Sequence, residues 1–338
     1  MDSRTKRRLE PGQIEAMVRH ALGSQVKVAS SRELTDGFFN ASYALELSEG
    51  PPVVLKVAPP PEVPILTYEH GIMRTEIELY ERVRRETSCP VPRVIASDLT
   101  RSILSSDYFF MEKLRGAPLN KAKGRLSRGE LAGIQEELGG IVRRLGSLRA
   151  ERFGYPREEA RAAAPTWREA FLAMVSNLLE DAGRYQVKLP LPAERILDLF
   201  RARAGALDAV KVPVLTHFDL WEGNVFILRE GGGPPRVEAI IDGERAFWGD
   251  PCAELVSVVL FGDMERASSF LRGYQAATGA PLAFTENLRE RLLLYRAYLY
   301  LIMVIEAAPR GYKGLTYALM HAFFRYNLRG ILRKLRAR

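Results

Sequence analysis

Three short β-branched runs separated by turns open this chain, and from Ser127 onward almost everything carries a helical pattern. That single change of periodicity admits few folds. The strand candidates are residues 25–33, 42–47 and 53–57, parted by Thr35-Asp36-Gly37 and by Glu49-Gly50-Pro51-Pro52, which predicts an antiparallel meander. A helix over 68–85 follows, with Met73, Glu76, Tyr80 and Val83 on one stripe. Residues 91–96 and 108–114 read as a strand pair, and Arg115-Gly116-Ala117-Pro118 as a bend. Helices are expected over 127–149 with Ser127 as cap, and over 166–186, 192–207, 253–261, 264–278, 285–308 and 312–336. One β island, 212–216, 224–228 and 236–241, interrupts them. The pattern describes an α+β chain: a small β-rich lobe over 1–111 with one main helix, a linker over 112–118, and a larger, mostly helical lobe over 119–338.

Composition fits such a chain and excludes others. At 338 residues, 47% hydrophobic and 27% charged, it can bury a sizeable core. Two cysteines, Cys89 and Cys252, with no Cys-x-x-Cys pair, exclude a disulfide framework and argue against structural zinc, which suits a reducing, cytoplasmic setting. The net charge of +8 invites a polyanion. Its excess, however, sits at the ends, in Arg4, Lys6, Arg7 and Arg8 and in Arg325, Arg329, Arg333, Lys334, Arg336 and Arg338, so nucleic acid is not the expected partner. No apolar stretch follows the basic start, so no secretory signal is expected. The most apolar run, 292–308, is broken by Arg296 and Glu306 and reads as a core helix rather than a membrane span. Its Tyr295, Tyr298, Tyr300 and Met303 are expected in the core.

Chemistry concentrates in the island. In His217-Phe218-Asp219-Leu220-Trp221-Glu222-Gly223-Asn224, an Asp precedes an Asn by five residues, the spacing of a kinase loop in which the Asp accepts a hydroxyl proton and the Asn holds magnesium. Asn224 opens one strand and Asp242 closes its antiparallel partner, so the hairpin returns both oxygen donors to one end. On the nucleotide side, Lys56 ends an apolar strand and Glu76 lies in the buried stripe of the next helix. Each explains the other's cost as an ion pair against the α- and β-phosphates. The turn carrying Gly37, Asn40 and Ser42 is placed to cover phosphates, without a three-glycine signature.

With these blocks the sequence resembles the aminoglycoside phosphotransferase family, over roughly residues 30–305. The resemblance rests on Leu55-Lys56-Val57, on Arg74-Thr75-Glu76 followed by Val91-Pro92, on His217 to Asn224, and on Ile241-Asp242-Gly243-Glu244 followed by Gly249-Asp250-Pro251. It implies a protein-kinase-like, two-lobed fold and transfer of a γ-phosphoryl group from ATP or GTP, with Mg2+, to a small-molecule hydroxyl. It further implies Asp219 as catalytic base, Asn224 and Asp242 as metal ligands, His217 and Asp250 as braces, and a hinge from Met111 through Glu112 to Leu114 around the nucleotide base. Trp221, Glu222 and Glu244 are candidates for the acceptor pocket, and the acids Glu222, Glu180 and Asp181 for attracting an aminated acceptor. Three positions depart from the family's usual pattern: Phe218 replaces a common glycine, Trp221 a common histidine, and Gly243 an aromatic. Trp221 also fits ketosamine kinases of the same superfamily, whereas Gly243 to Phe247 look more like the antibiotic-kinase branch. Antibiotic inactivation is the expectation, with ketosamine, choline, amino-alcohol or sugar phosphorylation as the alternative. A non-catalytic pseudokinase would lack Lys56, Asp219, Asn224 or Asp242, and all four are present. A protein kinase would separate Asp242 from Gly249-Asp250-Pro251 by an activation segment that is missing.

Overall fold

The computed structural model describes residues 3–37, 39–277, 279 and 281–337. They group into two compact units, one made of residues 1–66, 92–113 and 306–321, the other of 67–91, 114–305 and 322–338.

The first unit is built on a five-stranded antiparallel sheet. A helix not anticipated from the sequence, α1 (Pro11–Leu22), precedes it; proline occupies its first position, and Ile14, Met17 and Val18 form its buried face. The strands are β1 (Val28–Glu33), β2 (Ala41–Leu47), β3 (Val53–Val57), β4 (Val94–Asp98) and β5 (Tyr108–Glu112), in the order β1-β2-β3-β5-β4. The expected meander and the expected β4/β5 pair are both present, joined where β5 lies beside β3. Ala41, Tyr43, Leu45, Val53, Leu55, Val57, Tyr108 and Phe110 pack with the buried face of α1 into one core. Because side chains alternate along a strand, Val54 and Lys56 project from the opposite face. Phe38, which falls between β1 and β2 in the chain, lies outside the described residues.

The second unit begins with the anticipated helix α2 (Ile72–Glu86). After β6 (Ala117–Pro118) and α3 (Leu119–Ala122) comes α4 (Arg128–Leu145). Its cap is the predicted Ser127, whose hydroxyl accepts the Glu130 N–H at 3.2 Å while Glu130 accepts the Ser127 N–H at 2.8 Å. Helices α5 (Trp167–Arg184) and α6 (Ala193–Arg203) lead to the β island, β7 (Val214–Thr216), β8 (Val225–Leu228) and β9 (Arg236–Ile240). β6, β8 and β9 form one small sheet. β7 pairs instead with β10 (Phe247–Gly249), too short for an alternating pattern to reveal it in the sequence. α7 (Glu254–Val258) stops before the expected 261, where Phe261 turns left-handed at φ 69°. The helix predicted over 264–278 breaks at Ala267 into a short turn and α8 (Ser268–Ala276), and its predicted last residue, Thr278, lies outside the described residues.

α9 (Glu286–Ile305) forms the spine of this unit. With the turn that continues it to Arg310 it is long and apolar enough to cross a membrane by length and composition, and 61% of its most apolar window is buried inside the protein. Counting only between Arg296 and Glu306 missed that length. Tyr295, Tyr298 and Tyr300 are buried as expected. The Trp167 indole donates to the Tyr295 hydroxyl at 2.8 Å, and the rings of Trp167 and Phe247 stack at 5.3 Å. Phe218 joins this aromatic floor, 5.1 Å from Phe247 and 5.9 Å from Tyr298 between ring centroids.

Candidate active site

The loop between β7 and β8 is held from below by residues far away in sequence. The Glu254 carboxylate, at the start of α7, accepts the His217 N–H at 2.6 Å, the Phe218 N–H at 3.1 Å and the Ser257 hydroxyl at 2.6 Å. Burial pushes its pKa up, and these hydrogen bonds pull it partly back. Between the two bonded amides the chain bends sharply, with Phe218 at φ 61°. Glycine is favoured in that region. Here the aromatic floor and the Glu254 carboxylate hold a phenylalanine there. The His217 ring secures the other side. Its Nδ1 accepts the Asp219 N–H at 3.3 Å and its Nε2 lies 3.0 Å from the Ile241 carbonyl. A carbonyl only accepts, so Nε2 carries the proton and ties the loop to the end of β9.

Asp219 stands on this platform. Asn224 Nδ2 donates to the Asp219 carbonyl at 2.8 Å and to its Oδ2 at 3.3 Å, and Arg245 Nη1 lies 3.4 Å from Oδ1. The side-chain nitrogen of Asn224 is thereby engaged, which leaves the side-chain Oδ1 as the atom suited to a cation. The β8/β9 hairpin pairs Val225 with Ile240, and the Ile241 N–H reaches the Asn224 carbonyl at 2.9 Å, so Asp242 emerges beside Asn224 as the spacing predicted.

Around Asp242 the structure adds two carboxylates. Ligand-type oxygens of Glu76, Asp242 and Glu244 lie within 4.8 Å of one another, with Glu76 and Glu244 buried. Three carboxylates this close repel unless positive charge lies among them, and their hard oxygen donors suit Mg2+. Glu76 also accepts the hydroxyl of Tyr80, one turn along α2, at 2.7 Å, and the Tyr80 hydroxyl oxygen in turn accepts the Asp242 N–H at 2.8 Å. Burial, followed by the charge of Glu76, pushes the Tyr80 pKa well above its ordinary value.

The remaining nucleotide-side candidates belong to the first unit, apart from Leu114 in the second. Lys56 is buried in the central strand β3, facing Ser42 on β2 and Phe109 on β5. Asn40 is buried just before β2. A Cβ at Gly37 would meet no atom nearer than the Asn40 carbonyl, at 3.7 Å, so nothing there demands glycine. Glu112 ends β5 and pairs with Arg93 in both directions, each N···O distance being 3.0 Å.

On the acceptor side the structure alters the charge picture. Glu222 pairs with Lys123 at 2.5 Å and Glu180 with Arg161 at 3.2 Å. Asp181 is buried, accepting the Thr67 N–H at 2.7 Å and hydroxyl at 2.8 Å, with Arg184 at 2.8 Å. All three acids expected to draw an aminated acceptor are already met by cations. Trp221 folds its ring over its own loop: a Cβ at Gly223 would sit 2.2 Å from it, so any larger residue there would displace the ring. A small cleft is lined by Leu119, Leu138, Leu220, Glu222, Val225 and Phe270. Asp250 caps the turn before α7 by accepting the Cys252 N–H at 2.9 Å, and is held by Arg291 and by the Tyr295 hydroxyl at 2.7 Å.

Sequence reasoning missed Glu254, Arg245 and the polar role of Tyr80. A signal existed for the first, since Glu254 is an acid inside the apolar run Cys252-Ala253-Glu254-Leu255-Val256. For Tyr80 the i,i+4 spacing to Glu76 was a signal for one partner, but its bond to Asp242 lies 162 residues away and the Arg245–Asp219 contact 26, beyond any local pattern.

A family model described as "Phosphotransferase enzyme family" matches residues 30–294. Among solved structures, a candidate fructosamine-3-kinase from Thermobifida fusca superposes with a TM-score of 0.67 at 22% identity, covering 96% of this chain and 99% of that one. A candidate aminoglycoside phosphotransferase from Ralstonia eutropha gives 0.65 at 14% identity, covering 98% and 99%. The streptomycin–ATP ternary complex of APH(2")-IIa gives 0.61 at 17% identity, covering 96% and 99%. The search of curated proteins found no match.

Proposed function

The chain belongs to the phosphotransferase enzyme family, and from that premise we propose that it transfers the γ-phosphoryl group of ATP or GTP to a hydroxyl of a small, amine-bearing acceptor. The observation that carries this reading is the loop of residues 217–224, which presents the Asp219 carboxylate beside Asn224 at the end of the hairpin that delivers Asp242. In this reading Asp219 orients the acceptor hydroxyl in line with the γ-phosphorus and takes its proton. An O–P bond forms to the acceptor while the bond from the γ-phosphorus to its bridging oxygen breaks and the nucleoside diphosphate leaves. Asn224 and Asp242, with Glu76 and Glu244 close to Asp242, would hold Mg2+. When bound, that ion supplies positive charge against the phosphate oxygens. Lys56 meets the α- and β-phosphates, the turn bearing Gly37, Asn40 and Ser42 covers them, and residues 111–114 receive the base.

For the acceptor we propose an antibiotic, because residues 243–247 look most like the antibiotic-kinase branch. A second reading, ketosamine phosphorylation, is supported by Trp221 following Asp219-Leu220 and by the similarity to the T. fusca protein. In both readings the acceptor carries a hydroxyl and an amine. With Glu222, Glu180 and Asp181 already paired, that amine would be recognised by other groups.

The test is release of nucleoside diphosphate with Mg2+ and ATP or GTP across hydroxyl-bearing antibiotics, ketosamines and amino alcohols. Stimulation by one antibiotic class supports the first reading, and stimulation by ketosamines alone replaces it with the second. No Mg2+-dependent release with any acceptor, and none basally, contradicts the phosphotransfer reading itself.

A further inference from the structure

Tyr80 has no role in the reading above, yet its buried hydroxyl is bonded twice beside Asp242. It donates to Glu76 Oε1 at 2.7 Å and accepts the Asp242 N–H at 2.8 Å. The directions are fixed by chemistry, since the one phenolic proton goes to the carboxylate and the backbone N–H can only donate. The segment it grips is one that needs holding. Asp242 has φ 68° and ψ 46°, a left-handed conformation that is costly for a residue with a Cβ. Its neighbour Gly243 is hemmed in by the same helix: a Cβ there would come within 3.0 Å and 3.1 Å of the Leu79 methyl groups. Consecutive residues of α2 therefore serve consecutive residues of the loop, Leu79 filling the space at 243 and Tyr80 bonding the backbone at 242.

We propose that Tyr80 is a positioning residue for the cation site: it holds Asp242 in its left-handed turn and couples that turn to Glu76, so that helix α2 sets the direction of the Asp242 carboxylate. This rests on the reading of Asp242 as a cation ligand. Groups that orient metal ligands typically contribute about 10- to 100-fold to affinity.

Tyr80→Phe keeps the ring and removes only the hydroxyl. The affinity of the full chain for ADP is measured by calorimetry with Mn2+ in place of Mg2+, and again in EDTA, alongside Asp242→Asn. Tyr80→Phe is expected to weaken binding in Mn2+ by about tenfold and to leave binding in EDTA unchanged, which also shows that the variant is folded. Hydrogen exchange of the metal-free protein supplies a second readout, with amides at 240–244 exchanging faster in Tyr80→Phe and those at 217–224 as in the parent. Equal losses in Mn2+ and EDTA, or no loss and no change in exchange, overturn the proposal. If Asp242→Asn loses the Mn2+-dependent gain and Tyr80→Phe keeps it, Tyr80 alone is wrongly assigned. If Asp242→Asn keeps the gain, the ligand reading fails and the proposal with it.

Discussion

Lys56 and Asp219 are placed by opposite means. Lys56 sits in the middle strand of a sheet, where the ladder to Ser42 and Phe109 fixes its position and the two-residue alternation fixes its face. Asp219 sits in a loop with no ladder of its own, and side chains from elsewhere hold it: Glu254 under the backbone, His217 bridging to Ile241, Asn224 and Arg245 on its carboxylate. A sheet spreads its positioning over many equivalent hydrogen bonds. The loop concentrates positioning in a few buried polar groups, each costly to leave without a partner.

That difference predicts unequal sensitivity to mutation. The largest effect is expected at Glu254→Ala, which strands the buried His217 and Phe218 amides together. At about 1–3 kcal/mol for each orphaned group, urea unfolding should show a loss of about 3 kcal/mol, accompanied by loss of turnover. Phe218→Gly is expected to cost less, because a lost aromatic contact of about 3–5 kcal/mol is offset by about 1–3 kcal/mol of relieved backbone strain. A net loss near 2 kcal/mol in the same assay fits the account, and a net gain would mean that strain, not packing, dominates the loop. Glu254→Gln, which keeps an acceptor, isolates the charge. The Glu254 pKa is raised by burial, so the folded chain holds its proton more tightly than the unfolded one. Its contribution to stability is therefore fully present below the unfolded value, about 4.3, and is lost as pH rises through the folded value. The melting temperature of Glu254→Gln relative to the parent should rise with pH across that window, and a flat difference would contradict the assignment. The smallest effect is expected at the sheet end: Gly37→Ala, whose Cβ would meet no atom nearer than the Asn40 carbonyl at 3.7 Å and which has no positive φ, should change stability by less than about 0.5 kcal/mol.

The same contrast explains what could be read from the sequence. Strand alternation made β1 to β5 and the place of Lys56 legible, because a strand's face follows from its neighbours in the chain. The candidate site residues were brought together as their spacing suggested, Asp219 with Asn224 in one loop and Asn224 with Asp242 at the ends of one hairpin. Their supports were not legible, since Glu254 and Tyr80 act across a fold that only tertiary packing creates. β10 and the break at Ala267 were lost because three residues or one dihedral leave no periodic trace. The pairing of the three acids was legible only in part: Arg184 follows Asp181 by three residues on one helix, whereas Lys123 and Arg161 reach Glu222 and Glu180 from distant positions in the chain.

The most direct test of Asp219 as the base is Asp219→Asn, which keeps the side chain's size, replaces one of its two acceptor oxygens by an NH2 donor facing Asn224 or Arg245, and removes its capacity to take a proton. Transfer of labelled γ-phosphate to the acceptor found in the panel should fall by about 100- to 10,000-fold, with nucleotide affinity unchanged. Turnover retained at the parental rate would contradict the account at its centre.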